Sequence, residues 1–345
     1  MLFDERPKDR REDLFDRDRE LAQVVEGAAG PLTLVTGVRR IGKTSVLNVA
    51  LGELRNVVAV VIDCRRLKPN YSRADLYSLF SRALSSRLDR LADLLEGVRG
   101  VSIMGNGIEL RWRGRNSITL SDLFDRLNGR RVVVAIDEAQ RLRGPLSQEV
   151  RDALAHAYDY DRNLSFVLTG SEVGLLYDFI GVDDEGSPLY GRYFKEVRLE
   201  RFSPDQSREF LRRGFKELDA RVPEEVIDVV ADYFGGIPGW LTFAGLRLAE
   251  GRGLEEVKEE AVRLAEGELL HLVESRGAVP GITVKRYKAL LRCVARGSDS
   301  WGKAAACLQE EVGSTVSPSV LDNMLRTLER LSIVRNYEFI DNVYR

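Results

Sequence analysis

A glycine-rich segment contains the residues whose types and spacing best fit a chemical task. Residues 37–44 read GVRRIGKT and match the pattern G-x-x-x-x-G-K-[ST] at every fixed position. The two glycines leave room for consecutive backbone N–H groups to point at a phosphate. Lys43 would reach the β- and γ-phosphates of a nucleotide, and the Thr44 hydroxyl would be a ligand for Mg²⁺. The residues predicted to bind nucleotide here are Gly37, Arg39, Arg40, Ile41, Gly42, Lys43, Thr44 and Ser45.

The two arginines of this segment leave two interpretations open. Arg39 and Arg40 occupy variable positions of the pattern. They either face solvent or contact a phosphate or a neighbouring subunit.

Two adjacent carboxylates supply the second half of a hydrolytic site. Asp137 and Glu138 directly follow the apolar residues 132–136. A buried strand would deliver them at its carboxyl end, where ligands of open α/β sheets bind. Asp137 would hold Mg²⁺ through its water shell, and Glu138 would deprotonate the attacking water as a general base. The alternative is a pair of surface carboxylates at the end of a strand.

Polar residues also follow the next apolar run. Thr169 and Ser171 come directly after residues 164–168, and either hydroxyl could bond the γ-phosphate or the attacking water. The alternative is a strand-to-helix turn in which Ser171 is the N-cap and Glu172 stands in the first helical turn.

The elements around these residues predict the fold class. An apolar strand at 32–36, the glycine-rich loop, a helix from 43 to 54 and a strand at 57–62 need a crossover connection and imply a parallel sheet. Further strands are predicted at 132–136, 164–168 and 196–199. The sequence therefore predicts an α/β fold, a P-loop NTPase parallel sheet that closes near residue 200.

The remainder of the chain has a different pattern. Residues 203–275 are almost entirely helical in pattern, with one interruption at 235–239, and residues 283–345 read as three short helices and a two-stranded wing. We therefore predict an ATPase domain at 1–202, a helical lid domain at 203–278 and a winged-helix domain at 279–345.

Composition limits the class of protein. The net charge is −2, and no apolar run approaches the length of a membrane span. Three cysteines form an odd, sparse set, which argues against a disulfide framework and for a reducing compartment. These features predict a cytoplasmic protein that does not bind membranes.

Four segments together resemble a known family. They read FDRDREL at 15–21, TGVRRIGKTS at 36–45, IDEAQ at 136–140 and GGIP at 235–238. The chain resembles an archaeal-type ATPase of the STAND class of P-loop NTPases, which is AAA+-like and related to origin-recognition initiator ATPases.

The resemblance implies further site residues. Phe15 and Arg17 would lie against the adenine, and Asp16 stands where the family usually has glycine. Pro238 would pack near the nucleotide, and Arg192 would face the γ-phosphate as a catalytic arginine, in cis or in trans. The alternatives are a helix junction without ligand around Pro238 and an ordinary surface ion pair at Arg192.

Three functions follow from these residues. The first is a switch that binds ATP or ADP with Mg²⁺, hydrolyses ATP and acts on a protein partner or on another copy of itself. The second is a DNA-dependent ATPase of replication or repair type that binds duplex DNA through the winged helix. Residues 280–345 carry ten positive and seven negative charges, which is only mildly basic. The third, a kinase-like enzyme, is disfavoured because a glutamate directly after Asp137 suits the activation of water.

Overall fold

The computed structural model describes residues 1–276 and 282–345. The chain forms two compact units. The sheet unit consists of Pro7–Gly37 and Lys43–Leu199, and the C-terminal unit consists of Met1–Arg6, Val38–Gly42 and Glu200–Arg345. The boundary predicted between residues 278 and 279 lies outside the described residues, and the three-domain division stays a prediction.

The sheet unit alternates strands and helices along the chain. Its strands are β1 (Leu32–Thr36), β2 (Val58–Asp63), β3 (Val101–Met104), β4 (Gly107–Leu110), β5 (Val132–Asp137), β6 (Leu164–Gly170) and β7 (Lys195–Arg198). Its α-helices are α1 (Asp18–Gly27), α2 (Lys43–Glu53), α3 (Arg73–Ser85), α4 (Leu88–Leu95), α5 (Leu120–Leu127), α6 (Ser147–Tyr160) and α7 (Val173–Ile180).

Five of these strands form one parallel sheet in the order β2-β5-β6-β1-β7. Every residue of β1, β5 and β6 is buried, as expected for parallel strands covered on both faces. The predicted α/β class with a parallel sheet is confirmed. Because parallel strands share one carboxyl edge, β1, β5 and β6 deliver the residues that follow them to the same edge of the sheet.

Smaller features of the unit follow from local sequence. The strands β3 and β4 form an antiparallel hairpin, with Met104 opposite Gly107. The helices α3 and α5 begin with capping boxes, in which Ser72 pairs with Asp75 and Thr119 with Asp122. Each box satisfies two backbone N–H groups that a helix start leaves unpaired.

A buried carboxyl at the end of α6 makes the stability of the protein depend on pH. Asp161 is 4% exposed, and burial together with the nearby carboxylate of Asp125 raises the pKa of Asp161 to about 6. The folded state therefore binds this proton more tightly than the unfolded state. The stability that results is complete below about pH 4 and is lost as the pH rises through 6.

The substitution Asp161→Asn should stabilise the protein by ~1–3 kcal/mol at pH 7.5, because an amide imitates the protonated carboxyl and cannot ionise. The gain should disappear at pH 4. Denaturant unfolding at the two pH values measures both quantities. Asp152→Asn on the exposed face of the same helix is the matched control. An equal gain at both pH values would contradict the role given to Asp161.

The C-terminal unit is helical up to a short terminal hairpin. Its helices are α8 (Pro204–Glu217), α9 (Glu224–Phe234), α10 (Pro238–Ala249), α11 (Leu254–Arg276), α12 (Ile282–Ala295), α13 (Trp301–Val312) and α14 (Pro318–Arg330). The strands β8 (Val334–Arg335) and β9 (Glu338–Phe339) pair antiparallel. The break predicted at 235–239 separates α9 from α10, and further breaks at 218–223 and 250–253 were not predicted.

The first residues of the chain also belong to this unit. Phe3 is fully buried and lies edge-on to Phe210 and Phe215 of α8. A Cβ atom at Gly214 or Gly245 would approach the Phe3 ring within 2.2 or 2.3 Å. Glycine at these two positions therefore makes the space that the ring fills.

One expectation about cysteine is wrong. Cys293 on α12 and Cys307 on α13 form a disulfide, with their Cα atoms 5.8 Å apart, whereas the sparse cysteine content argued against a disulfide framework and for a reducing compartment. The sequence could not show this pairing, because it depends on α12 packing against α13. Cys64 is a buried free thiol.

Among the helices of residues 1–276 and 282–345, none combines the length and the apolar character needed to cross a membrane.

Candidate functional site

The glycine-rich loop connects the end of β1 to the start of α2. Gly42 has φ +98°, and a Cβ atom there would meet nothing within 4 Å. The backbone conformation rather than crowding therefore calls for glycine. Arg40 also lies in the left-handed region, with φ 61°. Residues Val38–Gly42 belong to the C-terminal unit.

The predicted phosphate-binding lysine is buried in the sheet unit. Lys43 is 5% exposed, and its ammonium donates to the carbonyl of Gly37 at 2.8 Å. It is the first residue of α2, so it stands at the positive end of the helix dipole. A buried cation at a helix N-terminus is suited to binding an anion.

Thr44 and Asp137 lie next to each other, as a metal site requires. The Thr44 hydroxyl donates to one Asp137 oxygen at 3.1 Å. Asp137 is 2% exposed, and its burial raises the pKa of the carboxyl. A hydroxyl and a carboxylate are hard oxygen donors, which fit Mg²⁺. The described residues contain no group of three or more His, Cys, Asp or Glu that could hold a metal. Mg²⁺ in nucleotide sites usually binds one or two protein oxygens and takes its other ligands from phosphate and water.

Glu138 is held in an unusual conformation beside Asp137. Its backbone is left-handed, with φ 55° and ψ 48°. One carboxylate oxygen accepts from the Ser171 hydroxyl at 2.7 Å and from the Gln140 side-chain amide at 2.5 Å. The backbone N–H of Glu138 donates to the Thr169 hydroxyl at 3.0 Å. These contacts fix both the backbone and the carboxylate of the predicted base.

Both polar residues predicted to follow residues 164–168 contact the carboxylate pair, Thr169 from within β6 and Ser171 from just after it. The Thr169 hydroxyl donates to Asp137, and Ser171 bonds Glu138. The alternative that Ser171 is a helix N-cap is wrong, since Glu172 occupies that position of α7 and makes no side-chain cap. Thr169 therefore orients Asp137, and Ser171 orients Glu138.

Two residues at this edge were not singled out from the sequence. Gln140 is fully buried and bonds Glu138. Arg65 follows β2, binds both oxygens of Asp63 and places its guanidinium 3.4 Å from Asp137. The adjacency of β2 and β5, with Asp63 opposite Asp137, brings Arg65 to the site. Sequence order alone does not give this adjacency.

The residues before α1 are tied into the sheet unit. Arg17 is 5% exposed and pairs with Glu20 at 3.0 Å, whereas Phe15 is half-buried. Asp16 has φ 46°, which explains why glycine suits this position. The backbone N–H of Lys8 donates to the Ser45 hydroxyl at 3.0 Å, so this segment is bonded to α2. Contact of Phe15 and Arg17 with adenine stays a prediction.

Arg192 makes an ion pair within the sheet unit. Its guanidinium binds Asp159 at 2.6 Å and lies 5.8 Å from the centre of the Tyr158 ring. Both partners belong to α6. The role of Arg192 toward a γ-phosphate stays a prediction.

The glycine-proline junction of the C-terminal unit contacts the middle of the glycine-rich loop. Pro238 is the first residue of α10, and the N–H of Gly239 donates to the Arg40 carbonyl at 2.9 Å. A Cβ atom on Gly239 would stand 2.6 Å from that of Arg40. This contact requires a residue without a side chain.

The substitution Gly236→Ala should destabilise the protein by ~3 kcal/mol or more. Gly236 has φ +75°, and a Cβ atom there would lie 2.1 Å from the Phe202 carbonyl oxygen. Gly251 has φ +86° with nothing within 4 Å, so Gly251→Ala isolates the backbone strain of about 1 kcal/mol. Denaturant unfolding of both variants measures how much more stability Gly236→Ala loses than Gly251→Ala. We attribute this additional loss to overpacking against the Phe202 carbonyl. Equal losses would contradict the close approach at Gly236.

Comparison with protein families identifies residues 14–243. A family model described as an ATPase domain predominantly from Archaea matches residues 14–243. No curated protein matches the sequence significantly.

Solved structures include similar chains. A Walker-type ATPase of Pyrococcus abyssi is 34% identical, with a TM-score of 0.81 over 100% of this chain and 98% of that one. The RuvB Holliday junction branch migration motor of Thermotoga maritima is 15% identical, with a TM-score of 0.45 over 97% and 93% of the two chains.

Proposed function

Because the chain belongs to the family of ATPase domains found predominantly in Archaea, we propose that it is a nucleotide-dependent conformational switch that uses Mg²⁺. Its enzymatic activity is the hydrolysis of ATP. Membership of the STAND class belongs to the same proposal.

The contact between Thr44 and Asp137 carries the assignment of the site. It joins the start of α2 to the end of β5 at 3.1 Å, and Glu138 follows directly. Lys43 would bind the β- and γ-phosphates, while Thr44 and Asp137 would hold Mg²⁺. The ion would neutralise phosphate charge when bound. Each of these groups is placed by an element of the sheet unit.

Glu138 would accept the proton of the attacking water. General bases of this kind need a carboxylate within hydrogen-bond reach of the water. In the structure this carboxylate is bonded to Ser171 and Gln140. We propose that the two side chains orient the base, and that Thr169 keeps Asp137 in place beside it.

We base the switch on the middle of the glycine-rich loop, which belongs to the C-terminal unit. Gly37 and Lys43 belong to the sheet unit, whereas Val38–Gly42 pack with the C-terminal unit. A phosphate that binds this loop would act on Arg40, whose side-chain contacts lie inside the C-terminal unit. Pro238 would respond to the nucleotide, because Gly239 after it is bonded to Arg40. The partner would be another protein or a second copy of this chain.

The last part of the chain has the order of elements of a winged helix. The helices α12, α13 and α14 precede the hairpin of β8 and β9. Asn336 and Tyr337 at the hairpin turn both have positive φ, as a two-residue turn of this kind demands. We propose a winged-helix domain here, within the division 1–202, 203–278 and 279–345.

Binding of duplex DNA by this domain is a weaker proposal. The helix α14 carries Asp322 and Glu329, which would oppose phosphate. Asp322 also accepts a bond from the indole of Trp301 at 2.7 Å, which ties it to α13. We therefore favour the switch over a DNA-dependent ATPase.

ATP hydrolysis by nucleotide-stripped protein, with and without duplex DNA, tests this choice. The switch predicts a slow rate that DNA does not change, with the Glu138→Gln protein as the blank. Strong stimulation by DNA that is lost as salt rises would overturn it in favour of the DNA-dependent ATPase.

A further inference from the structure

Arg40 of the glycine-rich loop is held by three contacts inside the C-terminal unit. Its guanidinium is paired with Glu268 of α11 and lies 4.0 Å from the centre of the Trp240 ring. Its carbonyl accepts from Gly239. The side chains of Arg40 and Glu268 are 28% and 26% exposed, so water screens this pair only in part.

Two of these partners are themselves held by the end of the chain. The segment Asp341–Tyr344, here called the C-terminal turn, follows the terminal hairpin. The Tyr344 hydroxyl donates to Glu268 at 3.3 Å. The Trp240 indole N–H donates to Asp341 at 2.7 Å. Tyr344 and Trp240 thus provide two routes from the turn to Arg40, one polar and one aromatic.

The C-terminal turn is buried against the helices that surround it. Asp341 and Tyr344 are 3% and 9% exposed, and Trp240 is fully buried. The side chain of Asn342 accepts from Arg201 at 3.1 Å, and its amide would lie 2.3 Å from a Cβ atom on Gly235. A buried turn bonded at several points has one defined position, and its release would be detectable.

The position of Arg40 in the nucleotide pattern gives these contacts a consequence. Arg40 is the third of the four variable residues between the two glycines, in a loop whose backbone N–H groups are predicted to surround phosphate. A guanidinium can pair with a phosphate as well as with a carboxylate. Because Arg40 carries a single positive charge, pairing with a phosphate weakens its attraction to Glu268.

We propose that Glu268 competes with the nucleotide phosphates for Arg40, and that Glu268, Trp240 and Tyr344 are positioning residues that link this competition to the C-terminal turn. Nucleotide binding draws Arg40 from Glu268 and weakens the docking of the turn. By thermodynamic linkage, a firmly docked turn lowers nucleotide affinity by the same factor. The inference rests on the proposed function, because it requires nucleotide to bind the glycine-rich loop.

The experiment measures the Kd of a fluorescent ADP analogue for four proteins: wild type, Glu268→Gln, Arg40→Gln and the double variant. Glu268→Gln should bind about three- to tenfold more tightly, since a partly screened ion pair no longer competes. The double variant should bind like Arg40→Gln alone, because the gain depends on Arg40. Glu266→Gln removes the same charge from an exposed position of the same helix and should bind like wild type.

Amide hydrogen exchange supplies a second measurement, which would not respond to ADP if Arg40 and Glu268 had only a structural role. Exchange at residues 341–345 should become faster when ADP binds to the wild type and should not change in Arg40→Gln. Equal affinities for Glu268→Gln and Glu266→Gln, or an ADP effect that persists in Arg40→Gln, would overturn the inference. Lys43→Ala distinguishes failure of the proposed nucleotide site from failure of the competition for Arg40. Wild-type ADP affinity in that variant would refute the nucleotide site itself.

Discussion

Glu138→Gln should bind ATP as the wild type does and hydrolyse it about 10²–10⁴ times more slowly, the range expected for the loss of a general base. The amide oxygen of glutamine can still accept from Ser171 and Gln140, which both bond the carboxylate in the structure. The substitution therefore removes basicity while it preserves the local packing. Phosphate release under single-turnover conditions, together with the Kd of a fluorescent ATP analogue, separates the two effects.

Glu149→Gln is the matched control for this prediction. Glu149 makes a comparable pair of side-chain contacts, to Arg73 at 2.7 Å and to Tyr77 at 3.0 Å, but it takes no part in the site. Its turnover should equal that of the wild type. Unchanged turnover in Glu138→Gln would remove this residue as the base, and lost ATP binding would show that its role is structural.

Lys43→Ala should weaken nucleotide binding by about 10- to 100-fold, the value of a charge-assisted hydrogen bond to phosphate. The ammonium is buried and bonded to Gly37, so the variant also loses a contact within the loop. Lys43→Met keeps most of the buried side-chain volume and removes only the charge. Both variants should bind equally weakly in a titration with a fluorescent ATP analogue.

Lys195→Ala is the control for this substitution. Lys195 lies in β7 opposite Thr33, near the amino end of β1. Lys43, in contrast, begins α2 beyond the carboxyl end of β1. Its ammonium pairs with Glu26 at 2.5 Å. The nucleotide affinity of Lys195→Ala should equal that of the wild type. Weak binding by Lys43→Ala but normal binding by Lys43→Met would assign the effect to packing rather than to charge.

Local sequence predicts individual strands and helices of the sheet unit. The strand predicted at 32–36 and the helix predicted from 43 to 54 lie within one residue of the observed elements, because apolar runs and helix start signals act over a few residues. The order β2-β5-β6-β1-β7 was not predicted, since it depends on contacts between distant strands. That order decides which side chains meet Asp137.

The sequence did not identify Arg65 and Gln140 as residues of the site. Gln140 lies in the segment IDEAQ that carried the family resemblance, but the bond between its side chain and Glu138 depends on a local backbone reversal. Arg65 is distant in sequence from Asp137 and reaches it only because β2 and β5 are neighbours. Arg65 could have been found only with the strand order in hand, and Gln140 only with the backbone conformation of Glu138.

The sequence by itself determined the residues that can bind phosphate and activate water, because their spacing along the chain sets the loop and the strand end that present them. The tertiary structure decided which residues pair with each other. It pairs Ser171 with Glu138 and Glu268 with Arg40 at or near the site, and Cys307 with Cys293 away from it. Each pair joins elements that are separate in the chain. Their contact depends on how helices and strands pack, which is a collective property of the fold and not of any one segment.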